Sequence, residues 1–436
     1  MPNYIKTDYF DRYGAIMQFN LNKDEPIHRW YPFVEGYSSE FIKSIIEELD
    51  FIPECCLDPF SGSGTTSLEL QKMGIRCYSF EVSPFMHELS SVKLRTDYTM
   101  EGFNKNVLIL NEHINNSPED VERYINFPKQ RNYVEKESIT KWHYDFEVMR
   151  GILDIKYAIS MIKDKKYESL FRIALASILL SVSNMYRNGK CLSYKKDFVN
   201  RQKLQRKDVH NVFFKKIETE IRSDIIGINK IKQQKGKLLS NRKLCFHGDA
   251  RQLLKGLDDD SIDLVITSPP YLNSRDYTDS YIDELRVLGY MDNVVSEQEY
   301  RSKTIRSHVQ VKWGNIEPMN IPTLIEAYNN ILRYKEEFWN DSLPDMISGY
   351  FWDMNEIFTY LYQKMRTGGK IYFNVGNSAY YKTEIKVDEI ISEIAENIGF
   401  NIIEIRKARK MKASSQQKKY FDYLLESVIV MEKEPN

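Results

Sequence analysis

Short apolar runs and amphipathic stretches take turns along most of the chain. Phe41, Ile42, Ile45, Ile46 and Leu49 fall on one face at helical spacing, with Ser38 or Ser39 as the cap. A strand is predicted at 54–57, and a helix at 65–73 with Gly74 as its C′ residue. A second strand at 75–80 ends in Glu81, and Pro84 opens another helix. Helical periodicity then dominates from 97 to 242, most clearly over 147–163 and 167–185. Strands resume at 243–246 and 262–266, on either side of a helix at 250–257. Residues 291–345 read as irregular. A helix at 354–365 closes at Gly368-Gly369. Strand 370–375, helix 387–398 and strands 401–406 and 422–431 complete the chain. Strands alternating with helices, then a terminal strand pair, predict a doubly wound α/β sheet with an antiparallel strand at its edge.

Polar residues gather where these strands end. Strand 262–266 stops at Thr267-Ser268-Pro269-Pro270-Tyr271, because two prolines cannot donate to a sheet ladder and hold the backbone extended. Ser268 and Tyr271 are thereby placed at the carboxyl edge of a sheet, where open α/β sheets bind ligands. A hydroxyl, proline carbonyls of fixed direction and a flat ring suit a planar heterocycle with an exocyclic amine. The heterocycle would stack on Tyr271 while its amine donates to Ser268 and a proline carbonyl. The plainer reading of the same residues is an ordinary strand-to-loop turn.

Strand 54–57 runs into Asp58-Pro59-Phe60-Ser61-Gly62-Ser63-Gly64-Thr65-Thr66. Gly62 and Gly64 let the backbone approach a ligand closely. Glu81, 17 residues beyond Gly64 at the next strand tip, is placed to accept from two ribose hydroxyls. Ser67 stands where a dinucleotide fingerprint needs its third glycine, and no lysine follows as in a phosphate loop. The ligand is therefore read as nucleoside-like. Asp249, at the end of strand 243–246, can accept from an adenine amino group.

Charge changes the picture only locally. Lys and Arg number 61 against 62 Asp and Glu, yet from Arg187 to Lys243 there are 17 basic residues against 5 acidic. That concentration, with Tyr186, Tyr194 and Phe198 interleaved, is the expected phosphate-contacting surface. The residues named for it are Arg187, Lys190, Lys195, Lys196, Arg201, Lys203, Arg206 and Lys207, with Arg275 just beyond the Pro269-Pro270 turn. A solvated helix face is the competing reading. Cys55, Cys56, Cys77, Cys191 and Cys245 form no CxxC pair and read as reduced core residues, with no metal site expected. The most apolar run, 170–182, is interrupted by Arg172 and Ser177 and is too short to span a bilayer. No membrane association and a cytoplasmic location are expected.

Asp58 to Thr66 and Thr267 to Tyr271 together resemble the cofactor and catalytic signatures of the amino-directed DNA methyltransferases. The Ser-Pro-Pro-Tyr form is most typical of those acting on cytosine N4. His28 to Phe33 is similar to the segment that precedes the cofactor loop in that family. The resemblance implies a seven-stranded, mostly parallel sheet of the class I methyltransferase fold, with a helical insertion. It implies S-adenosylmethionine as cofactor, held by Tyr31, Pro32, Asp58, Phe60, Gly62, Gly64, Thr65, Thr66, Glu81, Asp249 and Thr267. Ser268, Pro269, Pro270 and Tyr271 would be catalytic, double-stranded DNA the substrate, and a cognate restriction endonuclease a partner in a restriction–modification system.

The expected organisation is a cofactor-binding part at 1–96 and a basic helical insertion at 97–242. Catalytic residues lie at 243–290, an irregular insertion at 291–345 and the last part of the methyltransferase domain at 346–436. Either insertion could recognise the target. Carbon-5 methylation would need a cysteine that follows proline in the relatives that perform it, and the chain contains no Pro-Cys. Adenine-N6 methylation, RNA or protein-amide methylation, and DNA recognition without catalysis stay open at this point.

Overall fold

Alternating side chains along the central strands load both faces of one sheet. The computed structural model describes residues 4–188, 191–273, 276–414 and 417–435. The sheet's strands are β1 (Lys6–Asp8), β2 (Cys55–Asp58), β3 (Arg76–Glu81) and β4 (Cys245–His247), then β5 (Ile262–Thr267), β6 (Met365–Gly376), β7 (Phe400–Met411) and β8 (Leu424–Lys433). Their spatial order is β1-β7-β8-β6-β5-β2-β3-β4. Every neighbouring pair is parallel except the two that β8 makes. From β2 the chain steps outward to β3 and β4, then returns to the other side of β2 as β5. The carboxyl ends of β2 and β5 therefore form a topological switch point, where such sheets hold ligands.

Leu264, Ile266, Tyr372, Val428 and Val430 face helices Ser39–Glu48 and Thr65–Met73. Val265, Ile371, Phe373, Ile429 and Met431 face helices Leu343–Lys364 and Val387–Ile398 on the opposite side. The strict alternation is the period of two that a pleated strand imposes. Asp263 interrupts the apolar run for a structural reason: its carboxylate accepts the Glu54 and Cys55 N–H groups at 2.7 and 2.8 Å. It thus sets where β2 begins beside β5.

Three expectations change. The antiparallel strand is not at the edge: β8 lies between β6 and β7 because the terminal hairpin folds back to insert its second strand. An eighth strand, β1, covers β7, and its three residues are too short and polar for a periodic signal. The stretch 291–345 is not irregular throughout. It contains helices Val294–Arg301 and Pro322–Leu332, the second opened by a proline in its first turn, where a missing N–H costs nothing. Helix Leu343–Lys364 likewise begins with Pro344 and crosses the expected boundary at 346. Buried Asp353 on that helix accepts from Arg251 and Arg306 at 2.6 and 2.7 Å, tying the segment to the sheet's rim.

The insertion at 97–242 is built on helices Met100–Asn115, Phe146–Ser160, Lys165–Val182, Arg206–Lys216 and Arg222–Lys235. It shares one core with Trp30, Tyr31, Phe85 and Leu89 from the sheet-forming part and with Leu285 and Val287 beyond the catalytic turn. Asp224 is the polar rivet of that contact. It accepts the Ile27 N–H and the Trp30 indole N–H, both at 2.8 Å, and pairs with Arg29. Asp224→Ala would strand two buried donors and is expected to cost on the order of 2–5 kcal/mol. Urea unfolding against the parent chain measures it, and an unchanged midpoint would show that the insertion is held mainly by its apolar face.

Candidate active site

Parallel pairing of Cys56 with Leu264 and of Leu57 with Val265 brings the tips of β2 and β5 side by side. The last residue of β5, Thr267, donates its hydroxyl to Asp58 Oδ1 at 2.6 Å, at the tip of β2. The same oxygen accepts the Phe60 N–H at 3.1 Å, starting the glycine-containing turn. Burial pushes the Asp58 carboxyl up to about 6. From the other side, Glu81 at the tip of β3 accepts the Gly62 N–H at 2.8 Å and the Ser83 N–H at 2.7 Å. Burial raises this carboxyl too, to about 7. Ser90 Oγ donates to the Gly62 carbonyl at 2.9 Å. Gly64 sits at φ 79°, and a Cβ there would lie 2.8 Å from Ser90 Oγ. Only glycine fits that approach.

Both turns open into one cavity of about 1480 Å³. Phe60, Gly62, Glu81, Asp249, Ser268, Pro269, Pro270 and Tyr271 line it, so the structure brings the two predicted signatures together. Asp58, Gly64, Thr65, Thr66 and Thr267 stand behind the wall and hold its shape. Thr66 Oγ1, for example, is 2.6 Å from the Tyr37 hydroxyl. Tyr31 and Pro32 do not line the cavity, contrary to expectation. Tyr31 is fully buried and donates to Glu284 at 2.7 Å, while Pro32 is exposed. Their neighbour Phe33 reaches the site instead, stacked on Tyr281 at 5.9 Å and lying over Gly62. Asp249 lines the cavity with its carboxylate gripped by Arg251 at 2.7–3.0 Å.

The Ser268–Tyr271 turn has a polar backing that the sequence reading missed. Tyr271 donates its hydroxyl to Glu426 Oε1 at 2.6 Å, and Asn374 Nδ2 donates to that hydroxyl at 2.8 Å and to Ser268 Oγ at 3.3 Å. Ser268 Oγ lies 3.5 Å from the Tyr271 hydroxyl. Glu426 is almost fully buried, with its other oxygen on Arg409 Nε at 2.6 Å. Gly376 approaches so closely that a Cβ there would meet the Tyr271 ring at 2.8 Å. Tyr271 is thus clamped at both ring and hydroxyl. The available signal is a polar residue at an inward position of two apolar strands, Asn374 in β6 and Glu426 in β8.

Five of the nine basic residues expected to contact phosphates are engaged within the protein. Arg187 donates to Tyr31 and to the Ser280 carbonyl at 2.7 and 2.8 Å and pairs with buried Glu284. Lys195 donates to the Ser183 and Leu180 carbonyls at 2.7 and 3.0 Å, capping helix Lys165–Val182. Arg201 donates to Asn184 at 2.6 Å, Lys203 pairs with Glu135, and Arg206 with fully buried Asp154. Lys196 and Lys207 are exposed. Lys190 and Arg275 lie outside the described residues.

Residues 262–436 match the family described as DNA methylase, of the N6/N4 type. Over its whole length the chain is similar to type II methyltransferases. It is 27% identical to M.BsoBI of Geobacillus stearothermophilus across 99% of this chain and 89% of that one. It is 28% identical to M.AvaI of Anabaena variabilis across 92% and 85%. M.MvaI of Kocuria varians is 22% identical across 86% and 82%. A solved DNA modification methylase from Thermus thermophilus, complexed with S-adenosyl-L-methionine, aligns with 43% of this chain and 52% of its own, at 12% identity and a TM-score of 0.22.

Two desolvated acids, buried Asp58 and half-buried Glu81, give the site a pH signature. A carboxyl raised in the fold binds its proton more tightly there than in the unfolded chain, whose Glu titrates near 4.3, so stability falls as pH rises between the two values. For Glu81 that window runs from about 4 to about 7. Glu81→Gln removes the titration, so its stability relative to the parent is expected to improve steadily across that window. Urea unfolding of both proteins as a function of pH measures the difference. A relative stability that declines with rising pH would contradict the assignment.

Proposed function

We propose that the chain is a DNA methyltransferase of the N4/N6 type, a reading its similarities support, and that it methylates the exocyclic N4 amine of cytosine in duplex DNA. In this reading it is the modification enzyme of a type II restriction–modification system. S-adenosylmethionine is the methyl donor, and the residues of the cavity fit it. Glu81 offers an enclosed carboxylate at a strand tip, short of solvation, which two ribose hydroxyls would relieve. Gly62 at φ 49°, under the Phe33 ring, leaves room for a ligand against bare backbone. Phe60, Gly62, Glu81 and Asp249 are the residues that would hold the donor. When bound, S-adenosylmethionine supplies a methyl group on a positively charged sulfur, an electrophile that needs no further activation.

The chain's own residues supply position. An aromatic exocyclic amine is a poor nucleophile because its lone pair is delocalised into the ring. Ser268 Oγ and the Pro269 carbonyl would accept the amine's hydrogens, favour a pyramidal nitrogen and turn its lone pair toward the donor. Holding the reactants in line is worth on the order of 7–11 kcal/mol when the geometry is good. Extruding the base costs a few kcal/mol. Contact with the fixed Tyr271 ring, worth about 1–3 kcal/mol per base, offsets part of that. The series from Ser268 through Tyr271 to Glu426 keeps the acceptor hydroxyl in one orientation.

The observation that carries this reading is the shared wall, with Gly62 and Ser268-Pro269-Pro270-Tyr271 lining one cavity beneath the Thr267–Asp58 hydrogen bond. Serine at 268 supports cytosine over adenine, for which aspartate or asparagine would be expected there. Labelled-methyl transfer to duplex DNA, followed by digestion to nucleosides, should yield N4-methylcytosine. N6-methyladenine would reassign the base and leave the chemistry standing. Ser268→Ala is expected to lower kcat by about 10²-fold or more with the affinity for S-adenosylmethionine unchanged. An unaffected kcat would remove Ser268 from the mechanism.

A further inference from the structure

A second basic surface lies outside the run of 187–243 and beside the cavity. Between Arg406 and Lys419, where β7 ends and the chain turns toward β8, there are seven Lys or Arg and no acid; Asp422 is the one acid before Tyr423. Two of the seven are internal: Arg406 is buried and pairs with Glu48 and Glu404, and Arg409 pairs with Glu426. Lys410, Lys412, Lys418 and Lys419 are exposed and, among the described residues, have no carboxylate within ion-pair distance. Lys410 and Lys412 sit on the wall of the catalytic cavity itself. Acids of that wall are already engaged: Glu81 by backbone N–H groups, Asp249 by Arg251, Asp276 and Asp279 by Arg301, and Glu426 by Arg409. Lys410 and Lys412 therefore add positive charge to this wall.

Two exposed rings lie against these lysines. Tyr420 and Tyr423 are 41% and 44% exposed, and Lys410 Nζ stands 4.7 Å from the Tyr423 ring and Lys419 Nζ 4.9 Å from Tyr420. The loop is also braced. Tyr381 and Lys382 adopt φ of 45° and 61°, an unfavourable turn for residues other than glycine, and the Lys382 N–H donates to Gln417 Oε1 at 3.2 Å. Lys382 Nζ lies 5.6 Å from the Tyr420 ring. A strained turn that holds a basic, aromatic-rich loop beside the cavity is the arrangement expected of a surface that orders a charged strand.

We infer that the loop joining β7 to β8, through Lys410, Lys412, Lys418 and Lys419, contacts the DNA phosphates that flank the extruded base. The inference rests on duplex DNA being the substrate. Each phosphate contact releases counterions and steepens the salt dependence of binding by about 0.9 in log–log slope. The test is fluorescence titration of duplex DNA with the full chain and S-adenosylmethionine, across a range of salt. A Lys410→Ala, Lys412→Ala, Lys418→Ala, Lys419→Ala variant is compared with a charge-matched Lys230→Ala, Lys232→Ala, Lys235→Ala, Lys237→Ala variant of the insertion. The loop variant should bind DNA at least about tenfold more weakly, with a slope shallower by about three to four, while its S-adenosylmethionine affinity is unchanged. The insertion variant should match the parent. Equal losses in the two variants, or none in the loop variant, would overturn the inference while leaving the substrate intact. A parent chain that holds S-adenosylmethionine but binds no duplex would sink the inference together with the reading it rests on.

Discussion

A single buried hydrogen bond, from Thr267 to Asp58, joins the two halves of this site. It connects the residue that ends one central strand to the residue that ends its parallel neighbour. Both signature turns leave the sheet just beyond those two positions. Because both groups are buried, neither can exchange its partner for water without cost, and the two turns keep a common origin. For the proposed transfer, which needs donor and acceptor in line, such an origin matters because small misplacements carry a large penalty in rate.

Around that joint the structure uses buried charge for placement. Glu81 fastens the glycine-containing turn by accepting its N–H. Asp353 gathers Arg251 and Arg306, and Arg251 in turn holds Asp249 at the cavity wall. Glu426 holds Tyr271 from beneath and is itself held by Arg409. In each case a carboxylate meets several donors at once, which offsets the desolvation that an isolated ion would suffer. The insertion follows the same logic, its arginines and lysines closing helix ends and pairing with Asp154, Glu135 and Glu284.

That pairing limits what local charge density can say. A run of 17 basic against 5 acidic residues reads as a nucleic-acid surface, yet Lys203, Arg206 and Arg187 within it pair with acids at 135, 154 and 284, far away in sequence. The same blindness hides Asn374 and Glu426, which belong to strands about a hundred or more residues beyond the turn they support. Tyr31 illustrates the converse. Its neighbourhood in sequence does belong to the site, but the chain turns so that Phe33, two residues on, reaches the cavity.

The alternation of strands and helices, the two signature turns at strand ends and the glycines those turns require could all be read from the chain alone. Each is a local property, set by side-chain period, by proline's missing donor or by a backbone angle that only glycine takes without strain. The tertiary structure decided the rest: the insertion of β8 inside the sheet, the backing of the catalytic turn and the partner of each charged side chain. Those outcomes depend on which distant segments share a low-dielectric space, and residue spacing carries no record of that.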